Sequence, residues 1–391
     1  MNKLLFTPPA WFTLFAVYAT NLGVGILFGF QPPLVALVLH RMGTSTLAVG
    51  AITAVSTVAV IVLGPWYPRI LNALGLRVAI IGGIVLAALV LLIMPLDIRP
   101  VTWLVLRFLT GCGLGLAWIG TEIWLNRVAT DRTRGRVMAV YTTVFAAGVV
   151  LGPVLLQWTG TVGARPFYWG ALALALTVLP LLCVRTAPMP TEDADAARGM
   201  RSLIGVAPIV MLAALTAGLV ESADVALLPL FGVQLGLSES LSLLIVTVFL
   251  AGNVALQLPI GAIADRYGRR ETLSVCALVS AAGPLFLPYA TAQPMLLWPL
   301  LFVWGGTMYG FYTQGIALLG DSYPTRDLAA ANGLFIIFYC SGGIVGPSLG
   351  GLAMDLWRPN GFVLLLSGVA AVLFIGLRVE RVFWQRRWSP D

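Results

Sequence analysis

Apolar stretches long enough to cross a bilayer follow one another along this chain almost without a break, and polar residues collect in the short gaps between them. Spans are read at Trp11 to Leu39, Ser45 to Leu63, Leu76 to Met94, Val101 to Trp124, Val137 to Trp158 and Phe167 to Val184. A second set is read at Leu203 to Phe231, Leu241 to Ile260, Thr272 to Tyr289, Met295 to Leu319, Leu328 to Ala353 and Gly361 to Val379. Each is too long and too evenly apolar for a barrel strand, and an open strand would leave backbone groups unpaired in hydrocarbon. The pattern predicts an all-α membrane protein of twelve transmembrane helices.

The most polar stretch, residues 187–202, lies near the middle of the chain. It reads as a cytoplasmic linker between an N-terminal six-helix half, residues 1–186, and a C-terminal one, residues 203–391. Residues repeat between these halves. Pro32, Gly64 and Gly113 recur as Pro229, Gly261 and Gly310, each 197 positions on, and Gly148, Gly152 and Pro153 recur as Gly342, Gly346 and Pro347, each 194 on. An offset near half the chain length points to a duplicated unit. Six is even, so both copies enter from one side and form parallel repeats about an axis along the membrane normal.

Composition agrees: 59% of the 391 residues are hydrophobic and 10% charged, with a mean hydropathy of +0.95, where soluble domains carry about 25% charged residues. The net charge of +7 does not mark a nucleic-acid binder, because the basic residues sit in connections rather than in one patch. With the N-terminus inside, 18 of the 23 basic residues fall in cytoplasmic segments and 4 outside. This bias predicts both termini in the cytoplasm of a multi-pass inner (plasma) membrane protein. Cys112, Cys183, Cys276 and Cys340 lie in separate apolar runs and read as small core residues. Met1 to Pro9 carries no cleavage site, so the first span is expected to remain as a helix.

The segment Gly261-Ala-Ile-Ala-Asp265-Arg266-Tyr-Gly268-Arg269-Arg270, read as a short loop after the eighth helix, resembles the GxxxDRxGRR signature of the major facilitator superfamily. Glycines permit a tight reversal there, and an acid beside a basic cluster can pair with charges or with a helix N-terminus. The first-half copy keeps Gly64 and Arg69 but has Pro68 where the signature has its acid. Gly148-Val-Val-Leu-Gly152-Pro153 resembles the family's antiporter signature GxxxGPxxGG, although its final pair is Leu155 and Leu156. Gly342 to Gly351 matches that signature in full. Trp118 to Glu122, Arg132 to Arg136 and Tyr323 to Gly351 resemble the YcaD-like branch. The resemblance implies a transporter working by alternating access, with the signature residues as a conformational latch and the glycine–proline helices as hinges.

Charges and polar groups inside the spans are the remaining pointers, since they are costly there and usually face a cavity. Glu221 and Asp224, three residues apart on the seventh helix, fall on nearly one face. Glu221 is expected to carry the main proton-coupling role, with Asp224, nearer the periplasmic end, secondary. Arg107, in a pattern that resembles the family's RxxxGxG, and Glu122 complete the coupling candidates; Glu122 also stands within reach of Arg127 and Arg136 for simple pairing. Asn21, Gln31, Trp118, Asn253, Gln257, Trp304, Tyr309, Tyr312 and Gln314 are candidate substrate contacts, each also readable as helix packing. His40 reads as an interfacial polar residue.

No metal-ligand spacing, nucleophile with its base, cofactor motif or phosphate loop is present. The expectation is no enzyme, metal or cofactor, and no ATP-driven pump. With the resemblance and the acids in the spans, the expectation is a monomeric, proton-coupled secondary transporter, its partners being protons, lipid and a small neutral or cationic amphiphilic molecule, with export preferred. An uptake symporter for a small metabolite is the alternative, and a membrane sensor on the same fold a distant third.

Overall fold

The computed structural model describes residues 10–129, 133–184, 205–324 and 327–388. The expected linker, residues 187–202, lies outside them, as do Lys3, Arg132, Arg185, Arg198, Arg201 and Arg326 of the charge count. No strand occurs among the described residues. The first six long helices are α1 (Ala10–Arg41), α2 (Thr46–Leu63), α3 (Leu76–Ile93), α4 (Pro100–Val128), α5 (Arg134–Thr159) and α6 (Arg165–Val178). The next six are α7 (Pro208–Gln234), α8 (Glu239–Tyr267), α9 (Arg269–Ala290), α10 (Pro294–Ser322), α11 (Leu328–Leu356) and α12 (Gly361–Trp388). After α2 a tight turn, Gly64–Trp66, leads into a short helix, Tyr67–Leu74.

Among the described helices, 11 are long and apolar enough to cross a membrane. The exception is α10, which at 29 residues is long enough but is diluted by Trp304, Gly305, Gly306, Thr307, Tyr309 and Gly310. Large apolar side chains such as Leu89, Val105, Val275 and Ile375 are exposed. That is the arrangement expected where the surrounding solvent is lipid.

Several helices outrun the apolar spans. Most notably, α8 continues through Gly261 to Tyr267, so the segment read as a loop is mostly helix. The reason is that backbone groups stay paired in a helix whether or not lipid surrounds it, and no residue from Gly261 to Tyr267 stops the ladder. Gly268 (φ +94°) and, after the short helix, Gly75 (φ +80°) end their helices in a backbone region that suits glycine, with their N–H groups donating to Ala264 O and Leu71 O. The proline-containing helices α5 and α11 run unbroken past Pro153 and Pro347.

The helices form two compact units. One holds α1, the later part of α2 and α3 to α6; the other holds α7 to α12 together with residues 43–54 at the start of α2. In the first unit α1 packs on α5 through bare backbone: a Cβ on Gly25 would lie 2.3 Å from Phe145 O, and one on Gly152 2.4 Å from the Gly29 carbonyl carbon. In the second, α7 packs on α11 in the same way, with Gly218 against Tyr339 O (1.8 Å), Gly342 against Leu215 O (2.1 Å) and Gly346 against Leu219 O (2.2 Å). Small residues of this kind let helix backbones approach where lipid offers no hydrophobic drive for association. Gly148 joins the first contact, 2.5 Å from Leu22 O.

At the start of α2, within the second unit, the Asp355 carboxylate accepts from Thr46 N (3.1 Å) and Leu47 N (2.9 Å), satisfying two donors that a helix start leaves orphaned.

Candidate functional site

The Gly218 contact sets the geometry of the acid pair. Because α7 lies directly on the α11 backbone at Gly218, a side chain one turn further along α7 meets the side chain of Tyr339. That side chain is Glu221. Its two carboxylate oxygens accept from different phenols, Tyr339 at 2.6 Å and Tyr309 of α10 at 2.9 Å. Tyr339 also packs edge-on against Tyr312 (ring centroids 5.0 Å), which packs against Phe335 (5.4 Å).

Asp224 follows one turn later and is 0% exposed. Neither of its carboxyl oxygens has a hydrogen-bond partner among the described residues. It stands within electrostatic reach of both Glu221 and Tyr309. Asn253 of α8 lies beside the Tyr309 hydroxyl and accepts from Gln257 at 2.8 Å. Gln257 itself is exposed, while Gln314 is buried. Trp304 is wholly buried against Phe249 (4.8 Å) and Gly283, in packing rather than beside the acids.

In the first unit Arg107 is buried and donates to Gln31 Oε1 of α1 and to Ser56 Oγ of α2, the latter at 2.6 Å. Gln31 Nε2 faces Thr110 and Met94, each at 3.4 Å. Asn21 donates to Tyr141 O at 2.8 Å. Trp118 stacks on Phe145 (6.1 Å, 11°) and meets Phe28 edge-on (5.8 Å). Glu122 is exposed and makes no ion pair among the described residues, so the expected pairing with Arg127 or Arg136 is absent there.

The two units place different chemistry at matching positions. Three residues beyond Gly25 on α1 stands Phe28, against Trp118 and Phe145; three beyond Gly218 on α7 stands Glu221, against Tyr309 and Tyr339. One trio is purely aromatic and the other is an acid gripped by phenols.

Around the signature segment, Arg269 donates to Asp321 Oδ1 (2.7 Å) and Ala317 O (3.0 Å), Arg270 pairs with Glu380, and Arg378 reaches Glu271 at 3.3 Å. Arg266 lies over the Tyr267 ring (5.4 Å), and Asp265 is exposed. In the first-half copy Arg69 is exposed and Arg77 donates to Leu182 O. Gly64, at the turn, has open space beside it, as has Gly261 within α8.

Sequence reasoning missed Tyr339, Phe335, Ser56 and Phe145. The signal for two of them was present: Tyr339 and Phe145 each precede a motif glycine, Gly342 and Gly148, by three residues, on the helix face that those glycines press against α7 and α1.

These features define a polytopic helical membrane protein with a phenol-bound acid, Glu221, and a fully buried one, Asp224, inside one helix unit. The chain belongs to the Major Facilitator Superfamily, whose family model matches residues 10–245 and 210–387. It is similar to the MFS-type transporter YfkF of Bacillus subtilis (strain 168), 23% identical over 373 residues and 94% of each chain. It is also similar to the MFS-type transporter YcaD of Escherichia coli O6:K15:H31, 28% identical over 278 residues and 71% of each chain. Among solved structures, the nucleoside transporter NupG superposes with a TM-score of 0.77 at 15% identity, over 94% of this chain and 98% of that one. A bacterial homologue of the human lysosomal transporter Spinster, inward-facing and unoccupied, gives 0.73 at 13% identity, over 99% and 100%. At such identities these two likenesses carry the fold alone.

Proposed function

We propose that this superfamily member is a proton-coupled secondary active transporter that exports a small neutral or cationic amphiphilic molecule by alternating access. In this reading it works as a monomer in the inner membrane, with both termini cytoplasmic and its six-helix halves, joined by residues 187–202, as parallel repeats. The observation that carries the proposal is the pair Glu221 and Asp224, two acids one turn apart in the interior of a helix unit. An unpaired charge in an occluded site is unfavourable and a neutral acid is tolerated, so protonation biases which conformation is populated. Arg107 and Glu122 are assigned supporting parts in coupling. The polar and aromatic candidates of α1, α4, α8 and α10, apart from Trp304, which fills core, are assigned to substrate contact, and the signature segments to latching.

Export is favoured by the Gly148, Gly152 and Pro153 core of the antiporter signature on α5, the helix on which that signature bears on direction; the full copy on α11 carries no direction. Uptake by symport is the second reading, supported by Leu155 and Leu156 in the α5 copy where that signature has its closing glycines. Purified protein in proteoliposomes with ethidium as the probe separates the readings. An acidic lumen should drive ethidium inward for an antiporter, and an acidic exterior should do so for a symporter. The double substitution Glu221→Gln with Asp224→Asn should abolish gradient-driven accumulation while leaving exchange measurable. Undiminished accumulation in that variant would remove the acid pair from the coupling scheme.

A further inference from the structure

The two acids of α7 are held in unlike ways, and the difference assigns them unlike work. Glu221 is only partly buried, and both of its oxygens accept phenolic hydrogens. An ionised carboxylate is an acceptor-only group, and two charge-assisted hydrogen bonds are what it needs to persist away from water. Asp224 is 0% exposed with both oxygens unpartnered. As an anion it would be a sealed charge with nothing to offset it, beside a second negative charge on Glu221; as a neutral acid it gives up one hydrogen bond. The other titratable groups around the pair are Tyr309 and Tyr312 on α10 and Tyr339 and Cys340 on α11, none of which supplies a positive charge.

We propose that Asp224 carries the exchanged proton and that Glu221 is a fixed anion clamped by Tyr309 and Tyr339. This rests on the proton-coupled reading above and reverses the order expected from sequence. In the transport step the Asp224 O–H bond breaks when the site opens, the proton passes to water, and the electron pair stays on the carboxylate. Glu221 remains ionised throughout and keeps its phenolic partners.

Infrared difference spectroscopy on the purified protein in lipid tests this without a substrate, so its failure is separate from failure of the transport assay. A protonated carboxyl with no hydrogen-bond partner absorbs at the high-frequency end of the C=O stretching range and shifts on deuteration. The wild type should show one such band at neutral pH, bleaching reversibly as pH is raised. Asp224→Asn should lose it, and Glu221→Gln should keep it. Loss in Glu221→Gln instead, no band in the wild type, or a band unmoved by pH overturns the assignment. Should Asp224→Asn fail to fold, the double variant Tyr309→Phe with Tyr339→Phe, which preserves ring packing, replaces it. Stripped of its donors, Glu221 should take up a proton and add a second band; absence of that band also overturns the proposal.

Discussion

Replacing Gly218 by alanine would place a methyl group 1.8 Å from the carbonyl oxygen of Tyr339, where ordinary contact begins at 3.4 Å. The obstacle is backbone, so no side chain can rotate away, and α7 and α11 must separate by roughly 1.6 Å at that point. The Glu221–Tyr339 hydrogen bond, 2.6 Å long, would then exceed the usual limit of about 3.2 Å. Overpacking of this kind costs about 1–3 kcal/mol, and loss of a hydrogen bond to a charged group about 1.5–3 kcal/mol. At roughly 2–4 °C per kcal/mol the apparent melting temperature should fall by on the order of 10 °C. Gly82→Ala is the control: nothing lies within 4 Å of its Cβ position, and alanine there should be neutral or stabilising by up to about 1 kcal/mol. Both variants, purified in one detergent, are compared by thermal unfolding followed through tryptophan fluorescence. A Gly218→Ala protein that melts with the Gly82→Ala protein would refute the close α7–α11 contact, and with it the account of how Tyr339 reaches Glu221.

Single cysteines placed beside Arg198 and beside Arg358 should label from opposite membrane faces, with labelling of both from outside defeating the twelve-span topology. Asp265→Asn should slow transport cycling more than it weakens substrate binding, as seen in separate rate and affinity measurements. Asp321→Asn removes an exposed partner of Arg269 and should shift unfolding by no more than about 1 kcal/mol. Asp97, in the α3–α4 connection, has its carboxyl held below the ordinary carboxylate range by the Thr102 hydroxyl and neighbouring Arg99. A lowered value means this stabilisation is complete above the ordinary carboxylate range and is lost as acid takes the pH through the lowered value. The melting difference between wild type and Thr102→Val should therefore vanish in acid.

The helices were legible because hydrocarbon admits so few backbone solutions: every apolar run of sufficient length became one. Their ends were less so. Apolarity marks where lipid stops, whereas a helix stops where its hydrogen-bond ladder does, as at Gly268 rather than Gly261. The acid pair was visible as two charges out of place on an apolar face, but the ranking of its members was not. Whether an acid is gripped or orphaned depends on what neighbouring helices bring to it, and Tyr339 is 118 residues from Glu221 along the chain. Trp304 and Tyr309 looked alike in sequence, both aromatic and both on α10, yet one fills core and the other holds a carboxylate.

The matched trios on α1 and α7 have an electrical consequence. Moving one elementary charge through the membrane potential changes the energy by about 2.3 kcal/mol per 100 mV, whereas moving a benzene ring changes it by nothing. Phe28, Trp118 and Phe145 are therefore blind to voltage, and Glu221 on α7, ionised as proposed above, is not. The two trios are packed alike against a glycine contact but differ in polarity, so with Glu221 ionised as proposed, a change in membrane potential pulls on α7 at this place and leaves the aromatic trio on α1 at rest.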